Sequence, residues 1–265
     1  LEAVNRGYKH IELNLDMVYF LPQGFKKNTI KNLLNIKKTR NITYSVHLPL
    51  WSIEPSSPNP FIRQGSANCL IDIVKKVEDL NPETYVLHAT GALAAEFSRL
   101  KIPTQYKKFI MNRFSEFGVN TIKDLINETN LDPSKLALET IEFPFDNTLD
   151  QVKSIKGAKL CIDTGHVLAK YPGDINLLEI VENNLDITGE FHLHDGFSLP
   201  NKSEGKTIGD HLTLGEGQLP IEFLRFIYEK DFQGPIVFEL SFEQAKKSIE
   251  FIKKQIPEIE IGISK

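Results

Sequence analysis

The chain alternates between two hydrophobic periods. Short apolar runs at 8–15, 43–48, 84–89, 136–140, 158–163, 187–194 and 235–240 are rich in Val, Ile, Leu and Tyr. Most lack a clean polar face, as parallel strands buried on both sides do. Between them apolar residues recur at helical spacing. Asn28 through Lys38 carries Ile30, Leu33, Leu34 and Ile36, and 65–80 carries Leu70, Ile71, Ile73, Val74 and Val77. A longer helical segment is predicted at 105–129, containing Phe109, Phe114, Ile122 and Leu125, with a break expected near Gly118. Shorter helices are predicted at 148–156, 174–184, 220–230 and 243–255. Strand alternating with helix along the full length predicts βα units around a parallel sheet.

What closes the strands narrows the fold. Tyr44-Ser-Val-His47, Tyr85-Val-Leu-His88, Leu136-Ala-Leu-Glu139, Leu160-Cys-Ile-Asp163, Phe191-His192 and Ile236-Val-Phe-Glu239 each end in an imidazole or a carboxylate. A doubly wound sheet gathers its ligands at one crevice. Residues supplied by nearly every strand end instead predict a parallel (β/α)8 TIM barrel, with its site at the C-terminal mouth. The 265 residues suit one barrel domain spanning 1–265. Leu1 through Gly7 reads as the last turns of a helix with a glycine stop, so the first of eight strands is expected to precede residue 1.

Three long segments follow strands on that face: Pro49–Arg63, Ala89–Gln105 and Gly196–Thr213. They are expected to wall a substrate pocket, with Trp51, Arg63, Lys202 and Lys206 as substrate-binding candidates. The net charge of −4 argues against non-specific nucleic-acid binding as the main business of the chain, while leaving room for a local basic rim. Cys69 and Cys161 lie in unrelated contexts and are expected as reduced thiols, which suits a reducing, cytoplasmic compartment. No apolar run has the length of a membrane span, and none resembles a signal peptide.

The chemistry follows from the donors. Buried carboxylates without a counter-charge are costly, and a cation is the economical partner for Glu139, Asp163 and Glu239. Imidazole and carboxylate without clustered cysteine suit a catalytic zinc, manganese or iron site. In Asp163-Thr-Gly-His166 a carboxylate ends the strand and an imidazole returns after a glycine turn. His192 and His194 stand at i and i+2 on a strand, so they share a face and line one cavity; His194 is a substrate-binding candidate. His10, in mid-strand, falls outside the pattern and is read as structural.

These motifs, with His211-Leu-Thr-Leu-Gly-Glu-Gly217, resemble the xylose-isomerase-like barrel superfamily, and within it the branch of endonuclease IV (AP endonuclease family 2). That likeness implies three zinc ions. His47, His88 and Glu139 would hold one, and Glu139 would bridge to a second held by Asp163, His192 and Glu239. The third would use His166, His211 and an aspartate two residues before that histidine, where this chain has Gly209. Asp210 directly precedes His211, and extended neighbours point to opposite sides, so a third site needs a bend. A narrower likeness, on Tyr44 through Leu50, Tyr85 through His88, Glu139 through Phe145 and Cys161 through Leu168, is to cobamide-remodelling phosphodiesterases.

The leading expectation is therefore a divalent-metal-dependent phosphodiester hydrolase with two or three ions, acting on a small anionic or sugar-like substrate such as a cobamide nucleotide loop. Glu139 and Glu239 are its catalytic candidates. The alternative is a sugar or sugar-phosphate isomerase or epimerase. It would use one metal, held by Glu139, Asp163, His192 and Glu239, with the two glutamates moving a proton. Abasic-site cleavage of DNA ranks below both, because no basic stripe is present. A purely structural metal site ranks last, since such sites are usually closed and cysteine-rich.

Overall fold

The protein is described from a computed structural model covering residues 1–21, 26–199 and 208–259. Strands β1 (His10–Asn14), β2 (Thr43–His47), β3 (Tyr85–Leu87), β4 (Leu136–Glu139), β5 (Lys159–Asp163) and β6 (Thr188–His192) pair in parallel, each with the next. An antiparallel ribbon, β7 (Asp195–Ser198) with β8 (Ile208–Leu212), leaves the sheet before β9 (Ile236–Val237) returns to pair with β6. The result is a TIM-like barrel of seven parallel strands among the described residues, nearly closed. One seam is unsealed. β9 and β1 do not hydrogen-bond to each other, and a cavity of about 450 Å³ lies between them, lined by His10, Glu12, Val237 and Phe238.

The helices are α1 (Glu2–Asn5), α2 (Lys27–Arg40), α3 (Pro60–Val77), α4 (Ala92–Arg99), α5 (Thr104–Thr129), α6 (Phe145–Ser154), α7 (Thr164–Leu168), α8 (Leu177–Asn184), α9 (Ile221–Glu229) and α10 (Phe242–Gln255). Local chemistry sets their ends. Asn59 caps α3 by accepting from Phe61 N, with Pro60 at the first helical position. Asn41 and Asn130 end α2 and α5 in the left-handed conformation. Ser241 and Gln244 form a capping box on α10. Outward-facing Val46, Leu87, Leu138, Leu160, Ile162 and Phe191 share one core with Leu70, Val77, Ile122 and Phe223 from the surrounding helices. Among the described residues, no helix is long and apolar enough to cross a membrane.

All seven expected strands are present. Three expectations need correction. Helix α5 runs unbroken through Gly118, and its missing side chain serves packing instead: a Cβ there would sit 2.4 Å from the Ala89 carbonyl oxygen, just past β3. The segment Ala89–Gln105 is not an open loop but contains α4. Likewise Gly196–Thr213 contains much of the β7–β8 ribbon.

Inside the barrel, alternation along each strand builds two tiers. The upper tier, at the strand ends, holds His47, His88, Glu139, Asp163 and His192. Two residues lower stand Ser45, Val86, Ala137, Cys161 and Glu190, with Glu12 beside Ser45 in register. On the β3–β5 side this lower tier is small and apolar, with Val86, Ala137 and Cys161 packed together. On the β1, β2 and β6 side it is polar.

Candidate metal centre

Glu139 stands at the middle of the mouth, and its two oxygens face different partners. Oε2 lies 3.1 Å from His47 Nε2 and 2.8 Å from His88 Nε2. Oε1 lies 3.4 Å from His192 Nδ1 and 3.5 Å from His166 Nδ1. His192 Nδ1 is also 3.5 Å from Glu239 Oε2 and 3.8 Å from Asp163 Oδ2. The donor atoms of His47, His88 and Glu139 all lie within 4.8 Å of one another, as do those of Glu139, Asp163, His192 and Glu239. Either group could hold a divalent ion, and Glu139 belongs to both.

Hydrogen bonds from the rings to backbone carbonyls test that fit. His47 Nδ1 donates to the Leu48 carbonyl at 2.9 Å, and His166 Nδ1 to the Thr140 carbonyl at 3.0 Å. A carbonyl can only accept, so each neutral ring keeps its lone pair on Nε2, which faces Glu139 in His47 and Asp210 in His166. For His47 that lone pair meets the Glu139 carboxylate, which is tolerable only with a proton or a cation between them. His192 is wholly buried, and neither ring nitrogen has a hydrogen-bond partner. The residues fit a metal.

Protonation in the metal-free site tells the same story. Burial alone would lower the pKa of His47, but Glu139 outweighs it and raises it to about 9. His211 also rises to about 9, through its hydrogen bond to Glu239. Burial would raise Asp163, yet His166 and His194 bring it down to about 2. In the lower tier Glu190 goes the other way, pushed up to about 8 by burial and by Glu12.

Asp163 divides its work. Oδ1 caps α7 by accepting from His166 N at 2.7 Å, leaving Oδ2 for the mouth and for His194 Nε2 at 2.9 Å. His194 is fully buried, and its Nδ1 accepts from His211 N at 2.9 Å. Both nitrogens are thus engaged by protein groups, and a donor atom of His194 also lies within 4.8 Å of those of His211 and Glu239, a further candidate group. Asp195, next in the chain, accepts from Gly196, Gly215, Gly217 and Leu219 N–H groups at 2.8–3.0 Å. That clasp explains the glycine-rich turn, in which Glu216 is exposed.

The bend that a third group requires is present. Between the pairs Phe197↔Gly209 and Asp195↔Leu212 the ribbon carries one extra residue on β8, and His211 adopts φ 50°. Such a bulge re-aims side chains. Here it turns Asp210 and His211 the same way, so that His166, Asp210 and His211 form a further candidate group. Asp210 Oδ2 is 3.5 Å from His211 Nδ1 and 3.9 Å from His166 Nε2. Neither residue type nor spacing discloses this bulge.

Beside the centre a pocket of about 640 Å³ opens, lined by Trp51, Ile53, His88, Ile141, His166 and Tyr171. Asp16 orders its rim by accepting from the N–H groups of Leu50 and Trp51, each at 2.8 Å. Arg63 is not at the mouth group; it lies over the Phe117 ring and donates to the Ser57 carbonyl. Lys202 and Lys206 fall outside the described residues. His10 bonds Thr43 and Ser45, as a structural residue would.

A seven-stranded parallel barrel with ligand residues at successive strand ends defines a class, and comparison with known proteins supplies the family. The family described as "Xylose isomerase-like TIM barrel" matches residues 1–255, and the chain belongs to it. An uncharacterized protein of Methanocaldococcus jannaschii is 25% identical over 263 residues, covering 94% of this chain and 83% of that one. Among solved structures, a D-tagatose 3-epimerase-like protein superposes with TM-score 0.71 at 22% identity, over 97% of this chain and 91% of its own. The D-psicose 3-epimerase of Clostridium cellulolyticum H10 gives 0.64 at 15%, over 96% and 91%. A 3-keto-D-glucoside 4-epimerase of E. coli gives 0.66 at 13%, over 94% and 90%. At these identities the structures establish the shared fold.

Proposed function

We propose that the chain is a metal-dependent sugar isomerase or epimerase centred on Glu139, Asp163, His192 and Glu239. This is the second of the two sequence expectations, moved ahead of phosphodiester hydrolysis. The observation that carries it is the convergence of two glutamates and an aspartate on one imidazole nitrogen, beside a pocket sized for a small molecule. Sugar epimerases recur among the similar structures, which supports the same reading. A divalent ion in that group supplies polarisation of a carbonyl or hydroxyl oxygen on the substrate. Glu139 and Glu239 would then act as a pair: one takes the proton from the carbon next to the carbonyl, and the other returns it. Trp51 offers a flat face of the kind that packs on a sugar ring.

The test is exchange. Manganese- or zinc-loaded protein, incubated in D2O with a panel of ketoses and their phosphates, incorporates deuterium at one carbon, and Glu239→Gln abolishes that. Absence of exchange across the panel by fully loaded protein counts against the proposal.

A second reading, phosphodiester hydrolysis, is favoured by one specific feature: Glu139 splits its oxygens between two histidine sets, as a bridge between two ions would. The single-metal reading gives His47, His88, His166 and His211 no ligand role. Two ions about 3.5–4 Å apart can activate water and stabilise the leaving oxygen. Metal content near one per chain supports the epimerase; two or more, with hydrolysis of a model phosphodiester, supports the hydrolase and opens the question of a cobamide substrate. Cleavage of abasic duplex DNA is the least supported of these activities.

A further inference from the structure

The polar half of the lower tier does work that the mouth group leaves unexplained. Glu12 on β1 and Ser45 on β2 stand side by side in register, and Glu190 on β6 reaches the same space. Ser45 and Glu190 are wholly buried, and the Glu12 side chain is 7% exposed. Glu12 Oε1 lies 3.4 Å from His192 Nε2, the nitrogen that faces away from the mouth. Ser45 Oγ lies 3.2 Å from Glu12 Oε2 and 2.9 Å from Glu190 Oε1, and His10 Nε2 is 3.0 Å from Ser45 Oγ. His10 Nδ1 lies 2.7 Å from Thr43 Oγ1. A consistent chain runs through these atoms: Thr43 donates to His10, His10 to Ser45, and Ser45 to Glu12.

His192 is the group this chain serves. Both of its nitrogens lack a hydrogen-bond partner although the ring is fully buried, and carboxylates flank it above and below. One arrangement satisfies both sides: Nδ1 gives its lone pair upward to an ion, and Nε2 keeps its proton and directs it at Glu12. Val86, Ala137 and Cys161, packed as an apolar cluster, supply no carboxylate on the other side of the tier.

We infer that Glu12 is a positioning residue for His192, accepting its Nε2–H and thereby fixing the tautomer that presents Nδ1 to the mouth. The inference rests on the reading of the mouth as a metal centre. A ligating histidine commonly donates its second N–H to a carboxylate, and losing that partner typically costs about 10–100-fold in metal affinity. Ser45 and His10 hold the Glu12 carboxylate in turn. This gives His10, which lies below the ligands, a place in the site's supporting chain.

The experiment uses the full chain with zinc alone as the probe. Affinity is measured by chelator competition for the parent, for Glu12→Gln, which keeps an acceptor oxygen, and for Glu12→Met, which removes it. Nitrogen-15 histidine spectra of the zinc-loaded proteins report the His192 tautomer directly, and far-UV circular dichroism confirms that each variant folds. Expected are about 10-fold weaker binding in Glu12→Gln, up to about 100-fold in Glu12→Met, and a protonated Nε2 on His192 that is fixed only in the parent. Unchanged affinity and tautomer in both variants, with the parent binding zinc, overturn the positioning role and leave the metal centre standing. If Glu12→Gln loses one ion per chain while the others bind at parental strength, the lower tier is itself an ion site, and the inference is again overturned. A parent that binds no zinc sinks the metal centre and this inference together.

Discussion

Replacing Gly165 with alanine probes the support of the site without replacing any candidate ligand. A Cβ at Gly165, in α7, would stand 2.2 Å from both Cε1 and Nδ1 of His194. Carbon contacts settle near ~3.5 Å, so the ring must give by about 1.3 Å, the difference. It has nowhere to go. Nε2 is bonded to Asp163 Oδ2, Nδ1 accepts from His211 N, and the ring stacks on His211 at 4.2 Å. Moving it sacrifices one buried hydrogen bond to a carboxylate and one partly buried hydrogen bond, at roughly 1–3 kcal/mol each. Overpacking adds about 1–3 kcal/mol. The low end of the sum is about 3 kcal/mol, and at about 2–4 °C per kcal/mol for a chain of this size the melting temperature falls by about 6–12 °C. Gly65→Ala is the control. In α3 the added methyl meets nothing within 4 Å, and the substitution should stabilise by about 0.5–1 kcal/mol. Both variants are melted metal-free by circular dichroism at one pH, and zinc affinity is measured alongside. If Gly165→Ala melts within about 2 °C of the parent and binds zinc equally well, His194 does not brace Asp163.

Three further outcomes are expected. Glu139→Gln keeps the shape but removes the charge shared by two candidate groups, so metal analysis should show loss of the single ion under the epimerase reading and of two ions if Glu139 bridges a pair; parental metal content would refute its place in the centre. Metal-free protein should melt progressively lower as pH rises from about 6.5 to 9. His47 and His211, raised to about 9, give stability that is fully present below their ordinary value of 6.5 and lost as pH passes the raised one. Asp163, lowered to about 2, contributes across this whole range and cannot reverse the slope. Trp51→Ala, on the exposed rim of the pocket, should raise KM for the true substrate with metal content unchanged; a fall in metal content instead would show that the rim shapes the centre.

Much of this architecture was legible in the chain because parallel strands buried on both faces leave a simple trace. An apolar run that stops at His47, His88, Glu139 or Asp163 has nowhere to put that side chain except the mouth. The ribbon was not legible. Its strands are short, Gly196 and Gly209 interrupt them, and their pairing is local rather than part of the barrel, so no apolar period marks them. The bulge that joins Asp210 to His211 is a backbone event, set by register against β7 and not by residue type. Helix α4 was missed for a milder reason, since its Leu93, Ala94 and Phe97 do follow helical spacing but over only eight residues. Glu12 and Glu190 stayed hidden because they lie inside strands. Attention to strand ends finds ligands and overlooks the tier that holds them.

The same bonds explain how such a site exists before it meets an ion. Backbone carbonyls of Leu48 and Thr140 hold the His47 and His166 rings whatever occupies the mouth. A proton on His47 Nε2 satisfies Glu139 in the metal-free protein, and a cation can take that proton's place without turning the ring. A metal bound at the proposed centre would therefore compete with that proton for one prearranged position, and its apparent affinity should rise with pH over the interval in which proton-derived stability falls. The barrel core of Val46, Leu138, Ile162 and Phe191 lies outside this exchange. Under the proposed metal reading, folding would thus rest on apolar burial and ion binding on tautomer control. In small metallo-domains without such a core, by contrast, binding free energy is folding free energy.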